Sequence, residues 1–224
     1  MSGTATANDL RTKRDLARAY LGKRSPQLMF VAIAAAAVAR LVVGRWSALD
    51  LVVVAIVLAV NGTFEWMVHL FLLHAPEGSI RMRIFGTSVG HRRHHLDPAD
   101  LHWLMLRPIE VIQFVPMLAL VAAIFTVPWT WPSGLPVLAP YLTTLLAVCV
   151  ALAHYEWTHL LVHSRYRPKS RFYARLSRNH RLHHFRNERY WLGVTSNSGD
   201  RILRTLPRAK TDVPLSETAR TLGT

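Results

Sequence analysis

Four long apolar stretches interrupt an otherwise polar and basic chain. They cover residues 28–43, 49–68, 109–131 and 135–153. Each approaches or exceeds the ~20 residues that an α-helix needs to cross the hydrocarbon core of a bilayer. They are apolar on every face, whereas the helices of a soluble core, the alternative, are usually amphipathic. The pattern therefore predicts four transmembrane helices. The first is the weakest, because it is short and contains Arg40, which could reach a membrane face.

The rest of the chain is divided around these stretches. Residues 1–26 form a basic N-terminal segment, within which residues 9–23 fit either an amphipathic interfacial helix or a flexible arm. Residues 27–205 are expected to form one membrane-embedded domain. Residues 206–224 contain two prolines and many polar residues, and we expect a flexible tail there. The polar start of the chain shows no secretory signal.

The formal net charge of +14 is unevenly distributed. Six Lys/Arg residues precede the first apolar stretch, five lie between the second and third, and fourteen follow the fourth. The connection at 128–136 has none, and the one between the first two stretches has only Arg45. Because cytoplasmic loops are rich in Lys/Arg, both termini and the middle connection are predicted to be cytoplasmic. No aromatic or glycine-rich motif accompanies the charge, which argues against nucleic-acid binding.

Histidine clusters carry the candidate chemistry. Of twelve histidines, ten fall into four clusters: His69 and His74; His91, His94 and His95; His159 and His163; His180, His183 and His184. Imidazole is the commonest metal ligand among neutral side chains. Ten ligands are too many for one tetrahedral zinc, which takes four. They suit two ions with four or five nitrogens each, and the predicted topology places all of them on the cytoplasmic side.

The spacing within each cluster indicates how the rings are presented. Residues three and four apart share a helix face, so His91, His94 and His95 are expected to point toward one place. The same holds for His180, His183 and His184, and His159 stacks with His163. His69 and His74 are five apart, which predicts a helix end or a π-type turn.

Two carboxylates and two further histidines lie near these clusters. Glu65 and Glu156 are expected to accept an N–H from a ligand imidazole, with Glu156 as the catalytic candidate. The alternative is an interfacial carboxylate in contact with water. His102 and His154 belong to no cluster, and we expect supporting structural roles for both.

The two halves of the chain resemble each other. Glu65 to His74 is echoed by Glu156 to His163, and His91-x2-His94-His95 by His180-x2-His183-His184. Seventeen positions separate His74 from His91 and also His163 from His180. Duplication is one explanation, and convergence on one metal geometry is the other.

The residues from 61 to 205 resemble the fatty acid hydroxylase/sterol desaturase superfamily of integral-membrane di-iron enzymes. The resemblance rests on the four histidine patterns and on Gly193 to Ser196 followed by Asp200 to Thr205, and it looks closest to the fatty acid 2-hydroxylase branch. It implies an all-α fold of four transmembrane helices with a cytoplasmic, histidine-rich di-metal cap. It also implies two iron ions, with zinc possible as purified, and O2-dependent hydroxylation of a lipid chain.

The resemblance leaves three points open. No segment before residue 28 is long enough for a fused cytochrome b5 domain, so a separate cytochrome b5-, ferredoxin- or reductase-type donor is expected to supply electrons. A sterol or carotenoid hydroxylase or desaturase is an alternative function. A non-enzymatic membrane metal-binding or transport protein is a further alternative, but transporter sites lie near the membrane midplane.

Overall fold

The computed structural model describes residues 6–223, apart from the side chain of Phe85, and this part of the chain is helical without β-strands. The predicted all-α fold is confirmed. The part of the N-terminal segment before residue 6 lies outside the described residues. The helices are α1 Lys13–Leu21, α2 Arg24–Val43, α3 Ala48–Val68, α4 Ile80–Phe85, α5 Thr87–Leu96, α6 Leu101–Leu104, α7 Pro108–Thr130, α8 Leu138–His163, α9 Arg171–Phe185 and α10 Ser198–Ile202.

The chain forms two compact units. We call residues 6–22, 62–107 and 155–223 the histidine unit, because all ten clustered histidines belong to it. Residues 23–61 and 108–154 form the second, which we call the apolar unit. Helices α3 and α8 each contribute their first part to the apolar unit and their last turns to the histidine unit.

Four helical segments are long and apolar enough to cross a membrane, with mean hydropathy between 1.6 and 2.2. Only 22–44% of the residues in these segments are buried within the protein. Large side chains such as Val31, Leu58 and Leu120 are exposed instead. Such continuous apolar surface suits lipid rather than water. The four predicted membrane helices are therefore confirmed, and the chain is a membrane protein.

The fourth of these helices is longer than expected. The apolar stretch ends near residue 153, yet α8 continues to His163. No glycine or proline lies between Pro140 and His163, so nothing in the sequence stops the helix there. His159 and His163 consequently lie in the last turns of α8 itself, and not in a separate segment after the fourth membrane helix.

The N-terminal helix packs against the other segments of the histidine unit. Helix α1 is capped by Thr12, whose hydroxyl accepts a hydrogen bond from the Asp15 N–H at 3.1 Å. On its apolar face, Leu16 is 0% exposed and Tyr20 is 4% exposed. They belong to a core cluster that includes Leu160 and Leu176. The helix alternative is therefore the right one, but its buried face contacts protein.

Arg40 is folded into the apolar unit. Its guanidinium is 1% exposed and lies 2.8 Å from an Asp50 carboxylate oxygen. It also donates to the Thr143 hydroxyl at 2.7 Å and to the Gly44 carbonyl, and stacks 3.7 Å from the Trp46 ring centroid. Contact between Arg40 and a membrane face stays a prediction, and Asp50 gives the buried guanidinium a charged partner inside the unit.

Replacing Asp50 with alanine should destabilise the protein by about 3 kcal/mol, because it leaves a buried guanidinium without its counter-ion. The thermal unfolding midpoint in detergent measures this. The double variant Arg40→Met/Asp50→Leu should recover most of the loss, since no buried charge remains. Equal destabilisation in the single and double variants would contradict a balanced ion pair.

Candidate metal centre

Four short segments of the histidine unit carry the clustered histidines. His69 begins a π-helical turn, His69–Leu73, and the His74 N–H donates back to the His69 carbonyl at 3.0 Å. The extra residue of the π-turn brings rings five apart onto one side of the helix. The π-type turn predicted from this spacing is confirmed. The other clusters lie on regular turns of α5, α8 and α9.

The ten histidines converge into two groups of five. Within each group, one nitrogen from every ring lies within 4.8 Å of the corresponding nitrogens of the others. The first group is His69, His74, His91, His95 and His183, and the second is His94, His159, His163, His180 and His184. The structure thus brings together every histidine that the sequence singled out as a candidate ligand, and either group could hold a metal ion.

The adjacent pairs His94–His95 and His183–His184 are each divided between the groups. The expectation that each three-histidine cluster points toward one place is therefore wrong. With 3.6 residues per turn, neighbouring side chains diverge by about 100°, whereas residues four apart diverge by only about 40°. The i and i+4 residues of each helix consequently share one group, and the residue between them reaches the other.

The two halves of the chain contribute to the two groups in the same way. The first half supplies four histidines to the first group and His94 to the second. The second half supplies four to the second group and His183 to the first. Because His94 and His183 occupy equivalent places in their motifs, exchanging the halves leaves the pattern of contributions unchanged. Duplication remains a hypothesis that this pattern favours.

The spacing of the nitrogens fits metal coordination. The Nε2 atoms of His69 and His91 are 3.1 Å apart, and the same distance separates those of His94 and His163. Two nitrogen ligands at right angles, each about 2.1 Å from a common ion, would be about 3.0 Å apart. The Nε2 atoms of each pair are therefore already as close together as two nitrogen ligands of one metal ion would be.

Several of these nitrogens have no hydrogen-bond partner among the described residues. They are the Nε2 atoms of His74, His95, His159 and His183 and the Nδ1 atoms of His94, His180 and His184. A buried polar atom without a partner is costly. A metal ion that accepts the lone pairs of the inward-facing atoms would remove that cost, so the residues fit a bound metal.

Backbone carbonyls orient four of the rings from outside. The Nδ1 atoms of His69, His95, His159 and His183 lie 2.6–3.1 Å from the carbonyl oxygens of Leu192, Ala219, Leu104 and Tyr190, respectively. A carbonyl can only accept, so each Nδ1 must carry the proton. Nε2 is then left with a lone pair that faces the group.

Buried carboxylates hold the loop that provides two of these carbonyls. Asp200 accepts hydrogen bonds from the N–H groups of Leu192 and Gly193 at 2.9 and 2.8 Å. Glu65 accepts from the N–H of Val194 and from the N–H and hydroxyl of Thr195. A Cβ on Gly193 would lie 2.0 Å from the Ser196 carbonyl oxygen, so only glycine fits this tight loop.

Glu65 therefore differs from the expectation, whereas an imidazole N–H donor to Glu156 stays a prediction. Glu65 binds the loop rather than an imidazole. Glu156 is 1% exposed, and its Oε1 accepts the Leu106 N–H at 2.9 Å, two residues beyond the carbonyl that orients His159. It contacts the segment that positions a candidate ligand. The alternative of an interfacial carboxylate in water does not match this burial.

Burial keeps the imidazoles neutral. Desolvation lowers the pKa of His74, His91, His94, His180, His183 and His184 well below the ordinary value of 6.5. It lowers the pKa of His95 to about 3. Neutral imidazole is the form that binds a metal, so the rings are ready ligands at neutral pH.

Some features of the site lie outside the sequence-based expectations. His102 and His154 are both exposed and belong to neither group. The orienting carbonyls were not singled out beforehand, and Asp200 was noted only as part of the family-like segment from Asp200 to Thr205. A carbonyl leaves no trace in the sequence, whereas an Asp in a loop rich in Gly, Ser and Asn is a general sign of a carboxylate that binds backbone N–H groups.

The C-terminal residues pack onto the first group, unlike the flexible tail expected from their composition. Ala219 is 3% exposed and its carbonyl orients His95. The Val213 carbonyl accepts from Arg186 at 2.6 and 2.9 Å, and the Thr218 hydroxyl donates to Glu188 at 2.8 Å. These contacts attach the segment to the end of α9 and the loop after it.

Apolar membrane helices together with a buried histidine cluster define a class: helical membrane proteins with a centre that could hold metal. Within that class, the family model for fatty acid hydroxylase matches residues 53–205. The chain therefore belongs to the fatty acid hydroxylase family, whose members are membrane enzymes that act on lipids.

A solved structure has the same fold. Full-length Scs7p, of which only the hydroxylase domain is visible, superposes with a TM-score of 0.63 at 19% sequence identity. The match covers 92% of this chain and 70% of that one. No curated protein sequence matches the chain.

The metal-free protein should lose stability as the pH falls. Because the pKa of each of the seven histidines is lower in the folded chain than in the unfolded one, the unfolded chain binds protons first. The stability is complete above about pH 7 and decreases below it, by about 1.4 kcal/mol per pH unit for each proton taken up. Thermal midpoints of metal-free protein between about pH 8 and pH 5.5 measure this. The slope should decrease in His180→Gln, and a flat profile would contradict buried neutral imidazoles.

Removing residues 213–224 should weaken metal binding at the first group alone, by about 10- to 100-fold, because His95 loses the carbonyl that orients it. Metal content per chain after dialysis against a weak chelator measures this, and about half the metal should be lost. Removing only residues 223 and 224 is the matched control, since Ala219 remains. Full retention of metal by the shorter chain would contradict the role of the tail.

Proposed function

We propose that this protein is a membrane di-iron oxygenase that hydroxylates a lipid (fatty acyl) chain with O2 and externally supplied electrons. The overall reaction is R–H + O2 + 2 electrons + 2 protons → R–OH + H2O. Membership of the fatty acid hydroxylase family supports the reaction class and the lipid substrate. The observation that carries the proposal is the pair of five-histidine groups.

In this proposal, each group holds one iron ion through its five imidazoles. The ligands are the ten histidines of the two groups, His69, His74, His91, His94, His95, His159, His163, His180, His183 and His184. Bound iron would supply the activation of O2 and the cleavage of an unactivated C–H bond. Zinc binds nitrogen sites more tightly than ferrous iron does, so zinc in a purified sample agrees with the proposal.

The remaining chemistry belongs to the protein side chains and backbone. The carbonyls of Leu104, Tyr190, Leu192 and Ala219 keep the proton on Nδ1 of their histidines. Three carboxylates hold the backbone near these carbonyls. Glu156 binds the segment that follows Leu104, and Glu65 and Asp200 bind the loop that contains Tyr190 and Leu192. Eight of the ten rings are buried, which excludes bulk water from them. We assign Glu156 a positioning role, because its Oε1 accepts the Leu106 N–H close to the carbonyl that orients His159.

The charge distribution supports an orientation in the membrane. Lys/Arg residues gather before the first span, between the second and third, and after the fourth. By the positive-inside rule, both termini and the histidine groups are cytoplasmic. A lipid chain would then reach the site from the bilayer, while electrons would come from a separate cytochrome b5-, ferredoxin- or reductase-type donor in the cytoplasm.

Incorporation of labelled oxygen tests the proposal. The protein is purified without oxygen, reconstituted with ferrous iron, and supplied with membrane lipids, a chemical reductant and ¹⁸O2. We expect one ¹⁸O atom in the acyl chain of a lipid product, detected by mass spectrometry. His184→Ala should abolish the product because the second group loses a ligand, whereas His102→Ala, outside both groups, should retain it.

The other outcomes identify the alternatives. Labelled oxygen in a sterol or carotenoid would show that the substrate belongs to that class of lipid. A new double bond without labelled oxygen would indicate a desaturase. Iron bound without any oxidised lipid would favour a metal-binding or transport protein. Failure to bind metal after reconstitution would remove the basis of the proposal.

A further inference from the structure

A basic pocket lies beside the second histidine group, within the histidine unit. Its volume is about 1030 Å³, and it is lined by Arg11, Arg165, Arg167, Arg181 and Arg220 together with a single acidic side chain, Asp97. All five arginines are exposed. The pocket therefore has a strong excess of positive charge.

Most of this charge is not used within the protein. Among the described residues, no hydrogen bond or close ion pair engages the side chains of Arg165, Arg167 or Arg181, although Arg165 acts electrostatically on the exposed Asp9. Leu96 and Phe185, which also line the pocket, are 43% and 50% exposed. Unpaired arginines around exposed apolar side chains are typical of a protein-docking surface.

The pocket also reaches the candidate metal site. His163 is part of its lining and is the one member of the second group that is only partly buried. Its Nε2 lies 3.1 Å from the Nε2 of His94. A molecule held in the pocket would therefore be one side chain away from the ion that the second group would bind.

The equivalent arginine in the first half of the chain indicates which chemical group Arg181 could bind. Arg92 is equivalent to Arg181, since each follows the first histidine of its motif. Arg92 donates to the Leu222 carbonyl at 2.8 Å and to the Ala75 carbonyl at 3.0 Å. There, the C-terminal segment supplies an oxygen to the guanidinium. At Arg181 no segment of the described chain does so, and an oxygen-bearing group of a partner can occupy the equivalent place.

We propose that this pocket docks an acidic one-electron carrier protein, whose carboxylates bind Arg165, Arg167 and Arg181. The inference rests on the proposed function, because that reaction takes up two electrons and two protons per O2. The carrier delivers the electrons one at a time beside His163, and is itself oxidised by one electron in each encounter. Charge complementarity of this kind accelerates association and makes it sensitive to salt.

Charge reversal tests the docking surface. Iron-reconstituted protein is oxidised and then mixed, without O2, with a reduced plant-type ferredoxin as the acidic carrier. We expect Arg165→Glu/Arg181→Glu to lower the second-order rate of iron reduction by about 10-fold or more at low salt, and to flatten its salt dependence. Arg201→Glu/Arg208→Glu is the control, because both residues are exposed, carry the same charge and lie outside the pocket. Reduction by dithionite should be equal in all three proteins.

Binding of oxidised ferredoxin to the same proteins, followed by fluorescence, separates this proposal from the function on which it rests. Weaker binding by the pocket variant alone supports docking even if no lipid is oxidised. Equal binding and equal reduction rates in both variants would overturn it. So would inorganic phosphate binding in the pocket without any effect on ferredoxin, because that result would indicate a small-anion site.

Discussion

Ten imidazoles, eight of them buried, lie with their nitrogens facing one another, and a metal ion bound by those nitrogens would stabilise this arrangement. Burial lowers the pKa of the rings outside the spans, so protonation does not relieve the contact at neutral pH. The unpartnered nitrogens and the 3.1 Å separations match the ligand shell of a metal ion. The ten rings are therefore a ligand set that metal binding would stabilise.

The rest of the histidine unit is arranged to hold these rings in place. Carboxylates bind backbone N–H groups, the same segments present carbonyls to Nδ1 atoms, and the opposite nitrogens face the group. Asp200 and the Leu192 carbonyl form one such series with His69, and Glu156 and the Leu104 carbonyl form another with His159. Each half of the chain also supplies one histidine to the other group, so neither group is complete without both halves.

The sequence predicted the features that depend on local pattern. The apolar runs predicted the four membrane helices, and the five-residue spacing of His69 and His74 predicted the π-turn. The histidine spacing identified the residues that converge. The division of His94 from His95 was missed, although the 100° turn per residue was enough to find it. The partners of Glu65 and the packing of residues 213–222 were not predictable in this way. They depend on contacts between residues far apart in the chain, and backbone carbonyls have no sequence signature.

The central claim is that the two histidine groups each hold one metal ion through nitrogen. Anomalous diffraction from crystals of the iron-loaded protein, collected on both sides of the iron absorption edge, tests it most directly. The account predicts two iron peaks per chain, one surrounded by His69, His74, His91, His95 and His183 and the other by His94, His159, His163, His180 and His184. A single peak shared by both groups, or iron bound away from these rings, would contradict it.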